Sequence, residues 1–241
     1  ALPGAQDFIS ALEENGIPFL VLTNNSIFTN RDLSARLANS GLKVPEEHIW
    51  TSANATAAFL SQQSPNSTAY VIGEAGLTTA LHTAGYVMTD QDPEYVVLGE
   101  TRFYDFYALT TAIRLIERGA KFIATNPDVS GPSDEGTLPA AGSIAAMIQA
   151  ATGKAPYFVG KPNPVMIRAG LNKIGAHSEQ AAMVGDRMDT DVRAGVEAGM
   201  RTFLVLSGST HSDDVANFPY RPFRIYNGIG DLIRYVQPAS N

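Results

Sequence analysis

The chain has 241 residues, 44% of them hydrophobic and 17% charged, a composition that gives an ordinary globular protein with a real core. A formal charge of −7 argues against a general nucleic-acid surface, and the lack of cysteine excludes disulfides, thiolate metal sites and cysteine nucleophiles. The absence of cysteine also fits the cytoplasm, and neither a signal peptide nor an apolar run long enough to span a membrane is found.

The first predicted element is a helix over Pro3–Asn15, with Phe8, Ile9 and Leu12 on one face and Gly16 as its stop. Ile17–Leu22 reads as a buried strand ending in Thr23-Asn24-Asn25, and a helix follows over Asn30–Ala38. A second α/β series begins near Thr51-Ser52-Ala53: helix Ala55–Gln62, strand Thr68–Ile72, helix Leu77–Ala84, strand Tyr95–Leu98, helix Phe103–Arg118 and strand Phe122–Ala124. Val129–Pro139, rich in Gly, Pro, Ser and Asp, reads as a loop, and Ser143–Ala151 as a helix. Tyr157–Gly160 leads into Lys161-Pro162-Asn163-Pro164 and a helix to Ile174. Then come the apolar strand Ala181–Val184, a helix over Thr190–Ala198, the strand Thr202–Leu206, the segment Phe223–Tyr226 and a last helix near Asp231–Val236. Strands separated by helices predict an α/β fold with parallel sheets, the middle series forming an insert of residues 54–156 in a core made of 1–53 and 157–241.

Three strand ends carry the candidate chemistry. Thr23, Asn24 and Asn25 offer a hydroxyl, amides and backbone N–H groups that could cradle phosphate oxygens, or simply turn the chain and cap the next helix. Lys161, in a loop stiffened by Pro162 and Pro164, could neutralise phosphate charge or be a solvated surface lysine. Asp186, Asp189 and Asp191 put three carboxylates within six residues at the carboxyl end of a strand, where open α/β sheets bind ligands. Their mutual repulsion favours a hard cation such as Mg2+, while helix capping is the plainer use of such acids. His48, His82, His177 and His211 lack ligand spacing and read as surface or turn residues.

In this order, Thr23-Asn24-Asn25, Gly160-Lys161-Pro162 and Gly185-Asp186-Arg187-x-x-Thr190-Asp191 resemble the second, third and fourth motifs of the haloacid dehalogenase superfamily. Ala124-Thr125-Asn126-Pro127-Asp128, Gly142-Ser143-Ile144-Ala145-Ala146 and Val159–Pro164 resemble local patterns of its NagD and p-nitrophenylphosphatase branch, so that the likeness covers nearly the whole chain. The resemblance implies a Rossmann-like core with an inserted α/β cap of the C2 kind, and Mg2+-dependent hydrolysis of small phosphate monoesters such as sugar phosphates, nucleoside monophosphates and p-nitrophenyl phosphate. It implies that Thr23 and Asn24 hold the phosphate, that Lys161 balances charge on phosphate and nucleophile, that Asp186 binds Mg2+, and that Asp191 is a ligand or supports the metal site from behind. A loop near Asn126, Asp128 and Thr137 would face the leaving group. The implied partner is a small phosphorylated metabolite, with neither nucleic acid nor membrane, and a cap of this kind can carry a dimer contact.

One family feature is absent. The resemblance implies an Asp-x-Asp-Gly at a strand end upstream of the Thr-Asn motif, whose first Asp forms an aspartyl-phosphate and whose second acts as general acid and base. The carboxylates before Thr23 are Asp7, Glu13 and Glu14, all on the first predicted helix. Asp90-Gln91-Asp92 lies in the insert, after the Thr-Asn motif, and is followed by Pro93 rather than Gly. The expectation is therefore that the nucleophile lies in a segment of roughly 20 residues upstream of Ala1, the length of a strand and a loop. If the chain truly starts at Ala1, the alternative is a phosphate- and metal-binding protein without turnover.

Overall fold

The structure is a computed structural model that describes residues 1–133 and 136–236. The chain divides into two compact units, one of Ala1–Val21, Arg31–Ile49 and Lys161–Asn241, the other of Leu22–Asn30 and Trp50–Gly160.

The amino-terminal part of the first unit holds helices α1 (Ala5–Glu14) and α2 (Asn30–Asn39). Phe8, Ile9, Ala11 and Leu12 form the buried face of α1, as their spacing dictates, and Gly16 ends it at φ 62°. Strands β1 (Val21–Thr23) and β2 (Ile49–Thr51) make a two-stranded sheet, and the chain leaves or enters the second unit within each. β1 is shorter than the apolar run Ile17–Leu22 predicts. The carbonyl of Phe19 faces His48 Nδ1 at 3.0 Å, and the two rings stack at 4.3 Å, so a side chain takes the place of a ladder partner there.

The second unit runs α3 (Ser52–Gln63), β3 (Thr68–Ile72), α4 (Ala75–Thr83), β4 (Val87–Met88), β5 (Tyr95–Leu98), α5 (Phe106–Glu117), β6 (Lys121–Ala124), β7 (Ser130–Ser133), β8 (Gly136–Pro139), α6 (Ala141–Thr152) and β9 (Tyr157–Phe158). Its five-stranded sheet has the order β4-β3-β5-β6-β9 and is parallel throughout. Val96, Leu98, Leu115, Ile116 and Ile148 pack its core, each fully buried apolar side chain contributing about 1.5–3 kcal/mol. Asp105 caps α5 by accepting from the Ala108 N–H, which is why that helix starts three residues after the predicted Phe103. Thr51 and Asn54 form a reciprocal capping box that starts α3 before the predicted Ala55.

Two differences from the sequence reading matter. Val129–Pro139 contains an antiparallel hairpin, β7 with β8, in register Ser130↔Pro139 to Ser133↔Gly136. Every residue of β8 is exposed, so no apolar alternation marks the hairpin, and a two-stranded ribbon tolerates its prolines. Tyr157-Phe158, read only as leading into Lys161, pairs with β6 as the fifth strand of this sheet.

The remainder of the first unit contains α7 (Pro164–Lys173), β10 (Ala182–Gly185), α8 (Arg193–Glu197), β11 (Arg201–Val205), β12 (Arg224–Tyr226) and α9 (Ile233–Val236). β10, β11 and β12 form a parallel sheet in that order, covered by Phe8, Leu12, Val205 and Leu232 on one side and by Met188, Val192, Leu204 and Val215 in a second cluster. The predicted helix over Thr190–Ala198 divides in two. A π-type turn spans Met188–Val192, closed by the Val192 N–H on the Arg187 carbonyl at 3.1 Å, and only then does α8 begin.

Candidate active site

The carboxyl end of β10 is built around Asp191, whose side chain is 7% exposed. The π-type turn carries Asp191 back over the strand end. Its Oδ2 accepts the N–H groups of Asp186 and Arg187, each at 3.2 Å, and its Oδ1 accepts from Lys161 Nζ at 2.7 Å. Gly185 makes this possible, since a Cβ there would strike the Asp191 carboxylate. Lys161, 13% exposed, is therefore an anchored ammonium rather than a solvated one.

Asp186 is held differently. Its Oδ2 accepts the Ser209 N–H at 2.7 Å and its backbone carbonyl accepts the Thr210 N–H at 3.1 Å. The backbone of Gly208 lies so near this carboxylate that a Cβ there would collide with it. Among the described residues Asp186 Oδ1 accepts no hydrogen bond, which leaves a hard oxygen donor available. Asp189 does not join the cluster. Arg187 grips it with Nε at 3.1 Å and Nη2 at 2.7 Å, and the pair is exposed. The three acids that spacing suggested would repel one another are thus two ion pairs and one separate carboxylate. Among the described residues no group of three His, Cys, Asp or Glu side chains is placed to hold a metal by itself.

The second unit gathers Thr23, Asn24, Asn25, Asn126 and Asp128. The Thr23 hydroxyl accepts the Asn25 N–H at 3.1 Å, and Asn25 Oδ1 accepts the N–H groups of Ile27 and Phe28 at 3.1 Å each. These local bonds shape the loop after β1, an Asx-type turn rather than a cap on α2. Asn24 Nδ2 donates to Asp128 Oδ2 at 2.8 Å. Asn126 is fully buried, and its amide donates to the Asn24 carbonyl at 3.1 Å. Thr137, on the hairpin, is exposed and lies opposite Pro132. Asp90 and Asp92 occupy an exposed turn, with Asp92 at φ 43°.

Ser26, Glu100 and Gly208 escaped the sequence reading. Ser26, Ser52 and Thr125 are fully buried polar side chains around the loop, and Glu100 sits among them. Gly208 makes room for the Asp186 carboxylate, as Gly160 does for Asn24 and Gly185 for Asp191. The available signal was weak: a polar residue directly after an apolar strand, as in Thr125 after β6 and Glu100 two residues after β5.

Lys161, locked onto Asp191, and Asp186, its carboxylate held by the Ser209 amide, thus stand together at the carboxyl end of β10. The family model for haloacid dehalogenase-like hydrolases matches residues 1–87, and a related model for HAD hydrolase-like chains matches 158–232. The chain belongs to the haloacid dehalogenase-like hydrolases. Within them it is a phosphatase of the NagD-like branch. It is 62% identical over 231 residues to the dihydroxyacetone phosphatase of Corynebacterium glutamicum, covering 96% of this chain and 84% of that protein. To the ribonucleotide monophosphatase NagD of Escherichia coli it is 44% identical over 232 residues, covering 96% and 91%. The solved structure of E. coli NagD superposes with a TM-score of 0.91 at 43% identity, covering 96% of this chain and 91% of that one. A 4-nitrophenylphosphatase from Thermotoga maritima gives 0.92 at 36%, covering 98% and 91%. Phosphatases of this family are generally metal-dependent. No helix among the described residues is long and apolar enough to cross a membrane.

Proposed function

We propose that this protein hydrolyses small phosphate monoesters with Mg2+ and that the residues described above divide the work. The observation that carries the reading is Asp191, which at once fixes the Lys161 ammonium and the backbone amides ahead of Asp186. With both its oxygens occupied, Asp191 is suited to orient neighbours rather than to ligate. Asp186, with one oxygen unengaged, would hold Mg2+, which when bound offsets the charge of the phosphate. Lys161, its ammonium already desolvated and aimed, neutralises charge on the phosphoryl group as it develops in the transition state. Thr23 and Asn24 bind phosphate oxygens through backbone N–H and side-chain donors, and Asp128 fixes the Asn24 amide.

The reaction proceeds through an aspartyl-phosphate whose nucleophile lies upstream of Ala1. Relatives named dihydroxyacetone phosphatase, ribonucleotide monophosphatase and acid sugar phosphatase support a small phosphorylated metabolite as substrate.

The test is hydrolysis of p-nitrophenyl phosphate by protein that includes the upstream segment. Activity should vanish on chelation, return with Mg2+ and fall about 10²-fold or more in Lys161→Ala. Full activity in chelator, or in Lys161→Ala, sinks these assignments.

A further inference from the structure

The loop that follows β1 is held from beneath by a set of buried polar groups. The Asn24 carbonyl accepts two side-chain bonds, one from Ser52 Oγ at 2.7 Å and one from Asn126 Nδ2 at 3.1 Å. Asn126 is fully buried, and its remaining capacity is used as well. Its Oδ1 accepts the Asp128 N–H at 3.1 Å, and its Nδ2 also reaches Glu100 Oε1 at 3.3 Å.

An asparagine amide can turn over unless its neighbours distinguish oxygen from nitrogen. Here the Nδ2 side faces three acceptors, the Asn24 carbonyl, the Glu100 carboxyl and, at 3.4 Å, the Thr125 hydroxyl, while the Oδ1 side faces a donor. Turned over, the Asn126 oxygen would meet the Asn24 carbonyl, and the loop would lose that tie.

Glu100 is fixed in turn. Its backbone N–H donates to Ser26 Oγ at 2.9 Å, and Ser26, fully buried, also accepts from Thr125 Oγ1 at 3.3 Å. Burial pushes the Glu100 carboxyl above the ordinary glutamate range, Asp128 adds to the rise, and the Asn126 bond opposes it. An acidic side chain retained in such surroundings is costly unless it makes a bond that apolar residues cannot.

We infer that Glu100 is a positioning residue for the phosphate loop Thr23–Asn25, acting through the amide of Asn126. The inference rests on the phosphate-loop reading above and adds a residue to it. Glu100 supplies the acceptor that keeps Asn126 turned toward the Asn24 carbonyl, and so presents the Thr23–Asn25 donors in one conformation, their ordering cost met before phosphate arrives.

The experiment is calorimetric titration of the protein that includes the upstream segment with inorganic phosphate in the presence of Mg2+, using wild type, Glu100→Gln and Glu100→Met. Gln keeps an acceptor for Asn126, whereas Met fills the same space without one, so that neither variant opens a cavity. The expected result is a Kd raised about tenfold in Glu100→Met with unchanged stoichiometry, and within about twofold of wild type in Glu100→Gln. An unchanged Kd in Glu100→Met overturns the inference. So does a fall in stoichiometry alone, the mark of a merely structural residue, and so does a Glu100→Gln as weak as Glu100→Met. Wild type that fails to bind phosphate overturns the phosphate-loop reading, and the inference with it.

Discussion

The strand end around Asp191 and the loop around Asn126 solve the same problem with different chemistry. Each must hold polar groups in a fixed direction inside a folded unit. In the first, a buried carboxylate takes one ammonium and two backbone amides, so charge is balanced by charge. In the second, Asn126, Ser26, Ser52 and Thr125, all fully buried, make a largely neutral web of amides and hydroxyls. Removing one partner of a buried ion pair strands the other, whereas a neutral web loses bonds one at a time. The charged anchor should therefore be the more brittle of the two.

The largest effect that tests this contrast is Lys161→Ala. Leaving Asp191 buried without its ammonium should cost about 3–5 kcal/mol in denaturant unfolding. Asn126→Ala, by contrast, should cost about 1–3 kcal/mol. Equal losses would break the comparison. The two glycines that admit these side chains sharpen it. In Gly185→Ala a methyl meets the Asp191 carboxylate, and in Gly160→Ala it meets the Thr125 carbonyl and the Asn24 side-chain oxygen. Each should lose about 1–3 kcal/mol, since overpacking forces local shifts. Gly185→Ala should also raise the Mg2+ concentration needed for half-maximal activity, because the Asp186 amide hangs from the displaced Asp191.

Asp186→Asn separates function from folding within the charged region. The Ser209 N–H keeps an acceptor, so unfolding free energy should change by no more than about 0.5 kcal/mol. Turnover of p-nitrophenyl phosphate should fall about 10²-fold, and a near-normal rate would remove Asp186 from the metal site.

The smallest effect is a surface control. Glu94 is held down to about 2, against an ordinary 4.5, first by its bond from Lys121, then by the Ser67 and Ser64 hydroxyls. A carboxylate with a depressed folded pKa stabilises the protein above pH 4.5, and that contribution drains away as the pH falls toward 2. Solvent exposure keeps it modest. Glu94→Gln should lower Tm by about 1–3 °C at pH 7, with the difference shrinking to roughly half or less by pH 3. A difference that grew on acidification would refute the assignment.

The sequence by itself determined the parallel α/β class, because apolar strands alternated with helical patterns and each strand end was marked by Gly, Asn or Asp. Strands β3 and β5 occur at the residues their apolar runs indicate, since buried parallel strands are the least ambiguous pattern in a chain. Lys161, Asp186 and Asp191 were visible because they stand in the motif order of the family, after apolar runs that end in glycine. Tertiary structure alone decided how they are used. Nothing in a six-residue stretch tells that Asp189 turns outward to Arg187 while Asp191 turns back under Asp186, because the choice is made by the π-type turn and by Lys161, 30 residues away. Nor could local pattern reveal Glu100 and Asn126 as one support under Asn24, since a buried hydrogen-bond web joins residues by depth and direction, which one-dimensional spacing does not carry. The pairing of Ser130–Ser133 with Gly136–Pro139 stayed hidden because every residue of the second strand is exposed, so its sequence carries no apolar alternation.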